Sequence, residues 1–339
     1  MDLLAEKKLP SGETLRVLHW CPPGKVPRKY ADYVSASFGS DHPHANFYTT
    51  NGWRSYLFDA MDGVYFPEVT DHWFFAEVDG ECAGRVWFAW SGRSLRGNFG
   101  HVMTEPQYRR KGIMTELMTH CMAEIRRAPV RMLCCATGNK VAAASYVKSG
   151  FRLIYGGETG PLCFSKGESL FEESKKIFSG SRITEVRPGT IGDQFDCDKF
   201  LAYTPEMWKR PLPSQFGPAA CVSDFRLALQ ESFGGRAVVY TALNEKRECC
   251  GYAFAVMFPR MPVLDFVVHP AYMGDAAGLI RRTAESFREK FGVMPLWYGF
   301  AEDREKLRAA QAAGLVPAAE IPGGIFSGGR FADLTVMHF

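Results

Sequence analysis

Arg109, Arg110 and Lys111 stand in a row, followed by Gly112 and an apolar-periodic run that begins at Ile113. A strand-like run from Asn98 to Thr104 and a turn marked by Pro106 lead into them. A loop of this kind ends at a helix N-terminus, where the first backbone N–H groups have no intrahelical partner and the macrodipole presents positive charge. The glycine lets the backbone approach a phosphate closely, and the cations supply charge for more than one phosphate, so a pyrophosphate suits the loop better than a carboxylate. After a second strand-like run, Arg131 to Ala136, comes Asn139-x-x-Ala142-x-x-x-Tyr146-x-x-x-Gly150-Phe151. On a helix starting near Asn139, residues 139, 142 and 146 share one face because they are three and four positions apart.

The two motifs together resemble the GNAT superfamily of acyl-CoA N-acyltransferases. Its phosphate loop, Q/R-x-x-G-x-G/A, is matched by Arg109, Arg110, Lys111, Gly112, Ile113 and Met114, with Met114 in place of the final small residue. Its next helix, N-x-x-A-x-x-x-Y-x-x-x-G-F, is matched without a gap from Asn139 to Phe151. The resemblance implies acetyl-CoA as co-substrate and no metal. The loop from Arg109 to Met114 would take the pyrophosphate, the backbone of Val102, Met103 and Thr104 would pair with the pantetheine arm, Asn139 would contact the pantetheine or its sulfur end, and Ala142 would also line the cofactor. Tyr146 occupies the position that commonly protonates the departing sulfur, and a phenol is protonated at neutral pH. His101, then Glu105, are candidates for the base that receives the amine's proton. Asp41, His42 and His44 fall in a loop that lies over the acceptor pocket in that fold.

The elements that must position these groups are legible from patterning. Thr14 to Trp20 reads as a first strand, residues 27–61 as helical with an interruption at 39–44, and residues 72–91 as a hairpin around Asp79-Gly80. The expected fold class is α/β, in the α+β mixed-sheet sense: two tandem GNAT-like domains, each a mostly antiparallel mixed sheet with a splayed central strand pair flanked by helices. The domains are expected at 1–166 and 183–339 with a linker at 167–182. The tandem reading rests on a repeat: Pro106 and Pro270, Tyr108 and Tyr272, and Gly150 and Gly314 are each 164 positions apart. The copy has lost its chemistry. At that offset Arg109 to Gly112 become Met273, Gly274, Asp275 and Ala276, and Asn139, Ala142 and Tyr146 become Asp303, Lys306 and Ala310. An aspartate in the loop repels a pyrophosphate, so the C-terminal copy is expected to bind no acyl-CoA.

Forty Lys and Arg against 37 Asp and Glu, a net +3, argue against nucleic-acid wrapping. No signal-like segment or long apolar window is present, so a cytoplasmic protein with no membrane association is expected. The ten cysteines have no CxxC spacing and read as buried thiols in a reducing compartment rather than a zinc site. The expected function is transfer of an acetyl group from acetyl-CoA to a primary amine of a small molecule. The chain would be a monomer whose domain pair mimics a dimer, or a homodimer. Two alternatives are a catalytically silent acyl-CoA sensor and an aminoacyl-tRNA-dependent transferase of the peptidoglycan-bridge type. The intact cation loop with Tyr146 argues against the aminoacyl-tRNA reading, and the retained Tyr146 argues against the sensor.

Overall fold

The structure is a computed structural model that describes residues 1–36, 53–155, 157–167, 169–200, 224–258, 261–327 and 330–339. The chain divides into two compact units, residues 1–167 and 168–339.

The first unit contains β1 (Asp2–Lys8), β2 (Thr14–Trp20), β3 (Val69–Val78), β4 (Glu81–Ser91), β5 (Arg96–Thr104), β6 (Met132–Thr137), β7 (Arg152–Leu153) and β8 (Gly160–Ser165). They form one sheet in the order β1-β2-β3-β4-β5-β6-β8-β7. Every pairing is antiparallel except β5 with β6. Helices α1 (Arg28–Ala36), α2 (Trp53–Met61), α3 (Ile113–Arg127) and α4 (Lys140–Lys148) complete the unit. The β3–β4 hairpin turns on Asp79 and Gly80, whose φ values of 46° and 87° suit a tight turn. The side chain of Asp79 then accepts a hydrogen bond of 2.8 Å from the Thr14 N–H, tying the hairpin to β2.

β3 is buried on both faces, and the period of two sorts its residues. Phe74, Ala76 and Val78 join the core under α3, where Ile113, Leu117, Met118, Cys121, Met122 and Ile125 form the helix's buried stripe. Phe75 and Glu77 face the other way, and there the Tyr30 ring of α1 packs tilted against Phe75 (4.7 Å between ring centroids) and its hydroxyl donates to Glu77 (2.9 Å). Glu116 in the first turn of α3 and Arg126 and Arg127 in its last complement the helix dipole.

The second unit contains β9 (Ile183–Pro188), β10 (Ala237–Asn244), β11 (Cys249–Phe258), β12 (Met261–Val268), β13 (Leu296–Phe300), β14 (Val316–Ser327) and β15 (Arg330–His338), with α5 (Leu170–Ile177), α6 (Asp224–Phe233), α7 (Ala277–Phe291) and α8 (Arg304–Ala312). Its sheet runs β14-β15-β13-β12-β11-β10-β9. With β9 as counterpart of β2, this is the strand order of the first unit without β1. Helix bounds keep the sequence offset: 277 minus 113 and 291 minus 127 are both 164, as are 304 minus 140 and 312 minus 148. The expected linker holds α5, which belongs to the second unit: Asn244 donates to the Ile177 carbonyl (2.7 Å), and Phe178 stacks on His269 (3.9 Å). Among the described residues no helix is long and apolar enough to cross a membrane.

β5 lies between β4 and β6, with Gly97 opposite Trp90 on one side and Leu133 on the other. A Cβ there would lie 1.9 Å from the carbonyl oxygen of Ala89 and 2.9 Å from a methyl of Leu133. Backbone cannot yield as a flexible side chain does, so Gly97→Ala is expected to destabilise the protein by at least about 3 kcal/mol. Urea unfolding checks this, and a variant of wild-type stability would contradict the packing described.

Candidate active site

β5 and β6 pair only through Arg96 to Asn98 with Met132 to Cys134. Beyond Asn98 the parallel ladder ends, and among the described residues the edge of β5 that faced β6 has no strand partner from residue 99 to 104. The loop that follows leads straight to α3. Arg110 (φ 64°) and Gly112 (φ 80°) both take positive φ, the kind of backbone in which successive N–H groups converge on an anion. Gly112 is the N-cap of α3 and offers no side chain to its first turn. A Cβ on Gly112 would meet no atom within 4 Å, so the space before the helix is open. Arg109 and Arg110 are exposed at this mouth, and the Arg109 Nε donates to the Thr104 carbonyl (3.1 Å), which anchors the guanidinium beside the end of β5. Lys111 differs from its neighbours. It is paired with Glu13 from the β1–β2 turn, and that hydrogen bond, with help from Ser11, holds the Glu13 carboxyl down to about 2. Met114 packs against the core under α3 instead of crowding the loop.

The middle of β5 carries a bulge. Arg85 pairs with Met103 but Trp87 with Gly100, so β5 has one residue more than β4 across this interval. The extra residue falls beside His101, whose φ is 51°. The bulge resets the alternation: Phe99 and Val102, three positions apart, both pack on the α3 core. His101 instead lies against Trp73 (5.2 Å) and edge-on to Trp87 (5.0 Å) on the opposite face. Trp87 in turn donates to Asp71 (2.8 Å), and Asp71, Trp73 and Trp87 are all buried. Sequence reasoning missed this trio; its signal was the alternation of β3 and β4 combined with the bulge. Glu105 has other company. Burial depresses the charged form of Arg85 and pushes the Tyr33 phenol up, and Glu105 is close enough to favour the Arg85 cation. The charge of Glu105 thus acts on buried Arg85.

On α4, Asn139 is the N-cap and accepts from the N–H groups of Val141 (2.9 Å) and Ala142 (3.2 Å). Tyr146 is buried with its ring edge-on to Phe99 (5.2 Å). Burial pushes its phenol well above the ordinary tyrosine value, so it stays protonated at neutral pH. Among the described residues its hydroxyl has no hydrogen-bond partner. A core tyrosine bonded to a carbonyl would differ in that respect. Asp41, His42 and His44 lie outside the described residues.

Residues 32–151 match the family model described as Acetyltransferase (GNAT) family. The chain carries a GNAT acetyltransferase domain. The match takes in the bulged β5, the cation loop, α3 and α4. Solved structures of similar fold include yncA, a putative acetyltransferase from Salmonella typhimurium with its cofactor acetyl-CoA, at 18% identity over 46% of this chain and 92% of that one, with a TM-score of 0.39. Ribosomal-protein-S5-alanine acetyltransferase from Vibrio fischeri is 11% identical over 45% of this chain and 91% of its own, TM-score 0.39. A variant of spermidine N-acetyltransferase SpeG from Vibrio cholerae is 13% identical over 46% and 92%, TM-score 0.37. A comparison with curated proteins found no match.

Outside the GNAT match, the corresponding region of the second unit is built differently. β11 and β12 pair in unbroken register, without a bulge. At the 164-residue offset Asp265 stands for His101 and Lys306 for Ala142, and these two form a buried ion pair, Lys306 Nζ to Asp265 Oδ1 at 3.0 Å. The pair joins the first turn of α8 to β12 just beyond the last residue, Leu264, that pairs with β13. The Lys306 ammonium also sits over the Phe266 ring (4.8 Å). Breaking such a pair from one side leaves a buried charge uncompensated. Lys306→Met is expected to cost about 3–5 kcal/mol, and the double variant Lys306→Met/Asp265→Leu much less. Equal losses in both, measured by urea unfolding, would show that the pair is not the reason.

Proposed function

We propose that the chain is an N-acetyltransferase that moves an acetyl group from acetyl-CoA to the primary amine of a small molecule. One observation carries the reading: the strand edge freed where β5 and β6 part runs from a bulge at His101 to an uncapped, arginine-flanked helix N-terminus. That layout offers an extended arm a line of backbone partners and its phosphates a cradle at the far end. Val102, Met103 and Thr104 would bond the pantetheine arm. Arg109, Arg110 and the N–H groups from Gly112 to Met114 would take the pyrophosphate. Lys111, held by Glu13, would contribute its charge from the side. Asn139 and Ala142 would border the arm's sulfur end near Tyr146.

The reaction then has three proton and charge problems, each with a group in place. A neutral amine attacks the thioester carbonyl, the oxyanion that forms is met by backbone N–H groups near Met103, and the C–S bond breaks to expel the CoA thiolate. Tyr146 gives that sulfur a proton. His101, set by the bulge between Trp73 and Trp87, takes the proton lost by the amine, directly or through water. Glu105 serves as the counter-ion of Arg85 and ranks behind His101 as base. The acceptor approaches from the face of Asp71, Trp73 and Trp87, which is also the face that α1 covers.

The second unit, by this reading, is a duplicate of the first that takes no acyl-CoA. Its Lys306–Asp265 pair stands where the arm would enter, and Asp275 in its loop bonds the Ile183 N–H (2.6 Å) instead of leaving an anion cradle.

Tyr146→Phe tests the chemistry. Its kcat, followed by thiol release with an amine acceptor, is expected to fall by about 10²-fold, with acetyl-CoA affinity unchanged because the lost hydroxyl has no partner among the described residues. Turnover at the wild-type rate would end the assignment.

A further inference from the structure

β2 and β3 bring together a set of donors that the acetyl-transfer site does not use. His19 pairs with Phe74 across the two strands, so His72, two residues from Phe74, is its diagonal neighbour on the same face. Cys21, two residues after His19, follows on that side just past the end of β2. One ligand atom from each of His19, Cys21 and His72 lies within 4.8 Å of the others. His19 Nε2 and His72 Nδ1 are 2.9 Å apart. This is the α3 face of the sheet, opposite the one that holds Trp73 and His101.

We propose that His19, Cys21 and His72 bind a zinc-class divalent cation. Two imidazoles and a thiolate are the donor types that zinc prefers. In a tetrahedral site with bonds of about 2.0–2.3 Å the donors stand about 3.3–3.6 Å apart, so the observed triangle closes on a metal with small side-chain rotations. Both rings are already fixed in orientation. His19 stacks on Phe74 (4.5 Å), and His72 on Phe88 (4.6 Å) and Trp90 (4.9 Å). Burial holds both imidazoles below their ordinary range. Cys21 is half-buried and gives the cation its route in. On binding, the Cys21 thiol releases its proton to solvent as sulfur bonds the metal, and the His19–His72 hydrogen bond gives way to two nitrogen–metal bonds. The carboxylates of Asp2 and of Glu124, in the last turns of α3, lie close enough to act on the Cys21 thiol. Water can fill the fourth position. Arg127 and the amino group of Met1 are the cations that oppose the site.

The site would clamp the end of β2 to β3 independently of catalysis, so its test needs no substrate. Zinc titrated calorimetrically into the full chain is expected to bind once per chain and to raise Tm. Cobalt in its place should give the charge-transfer band of a thiolate ligand. Cys21→Ser, a small change at a half-exposed position, should weaken zinc at least about 100-fold and abolish the band. Cys82→Ser, at the other half-exposed cysteine among the described residues, should change neither. No zinc binding at micromolar concentration, or a band that survives in Cys21→Ser, or one lost in Cys82→Ser, would overturn the proposal.

Discussion

The parallel ladder between β5 and β6 stops after Asn98 pairs with Cys134, and the candidate site depends on that early stop. A strand inside a sheet normally spends both edges on neighbours, because an unpaired backbone group away from water is costly. β5 keeps β4 on one side throughout and loses β6 on the other, which leaves a row of donors and acceptors in the middle of a folded domain. The close approach at Gly97 holds the three strands together before the split, and α3 covers the sheet beside it. Chemistry in this domain therefore begins with backbone geometry. In the proposed reaction the side chains of Arg109, Tyr146 and His101 would act along a line that the strands have already drawn.

The bulge is the second device. Without its extra residue His101 would follow Phe99 into the α3 core; with it, the imidazole crosses to the face of Trp73 and Trp87. The second unit shows what the same topology looks like when both devices are spent. β12 runs in register with β11, and an internal ion pair stands beside the end of the β12–β13 ladder. A buried salt bridge is weak evidence for stability, so Lys306 and Asp265 are better understood as occupying space that an acyl-CoA arm would need than as a gain for the fold.

How far the sequence could be read follows from which forces are local. The start of α3 was legible to the residue, because an apolar stripe at helical spacing begins directly after Gly112. The 164-residue offset was legible because the corresponding helices of the two units have equal lengths. β1 was not foreseen: its residues are mostly exposed, so it shows little hydrophobic alternation. The bulge at His101 left no mark either, since the positive φ falls on a histidine and not a glycine. The Lys111–Glu13 pair joins residues 98 positions apart, and no spacing rule reaches that far. Cysteine patterning missed the His19, Cys21 and His72 cluster for the same reason: its third member arrives only when β3 pairs with β2.

The central claim is that one acyl-CoA site exists in the chain and that the gap between β5 and β6 is its floor. Calorimetric titration of acetyl-CoA into the full chain and into Ala142→Lys, which gives the first unit the lysine that the second has at Lys306, tests both halves at once. The account predicts one site per chain in the wild type and none in the variant. Two sites, or an Ala142→Lys protein that binds as the wild type does, would contradict it.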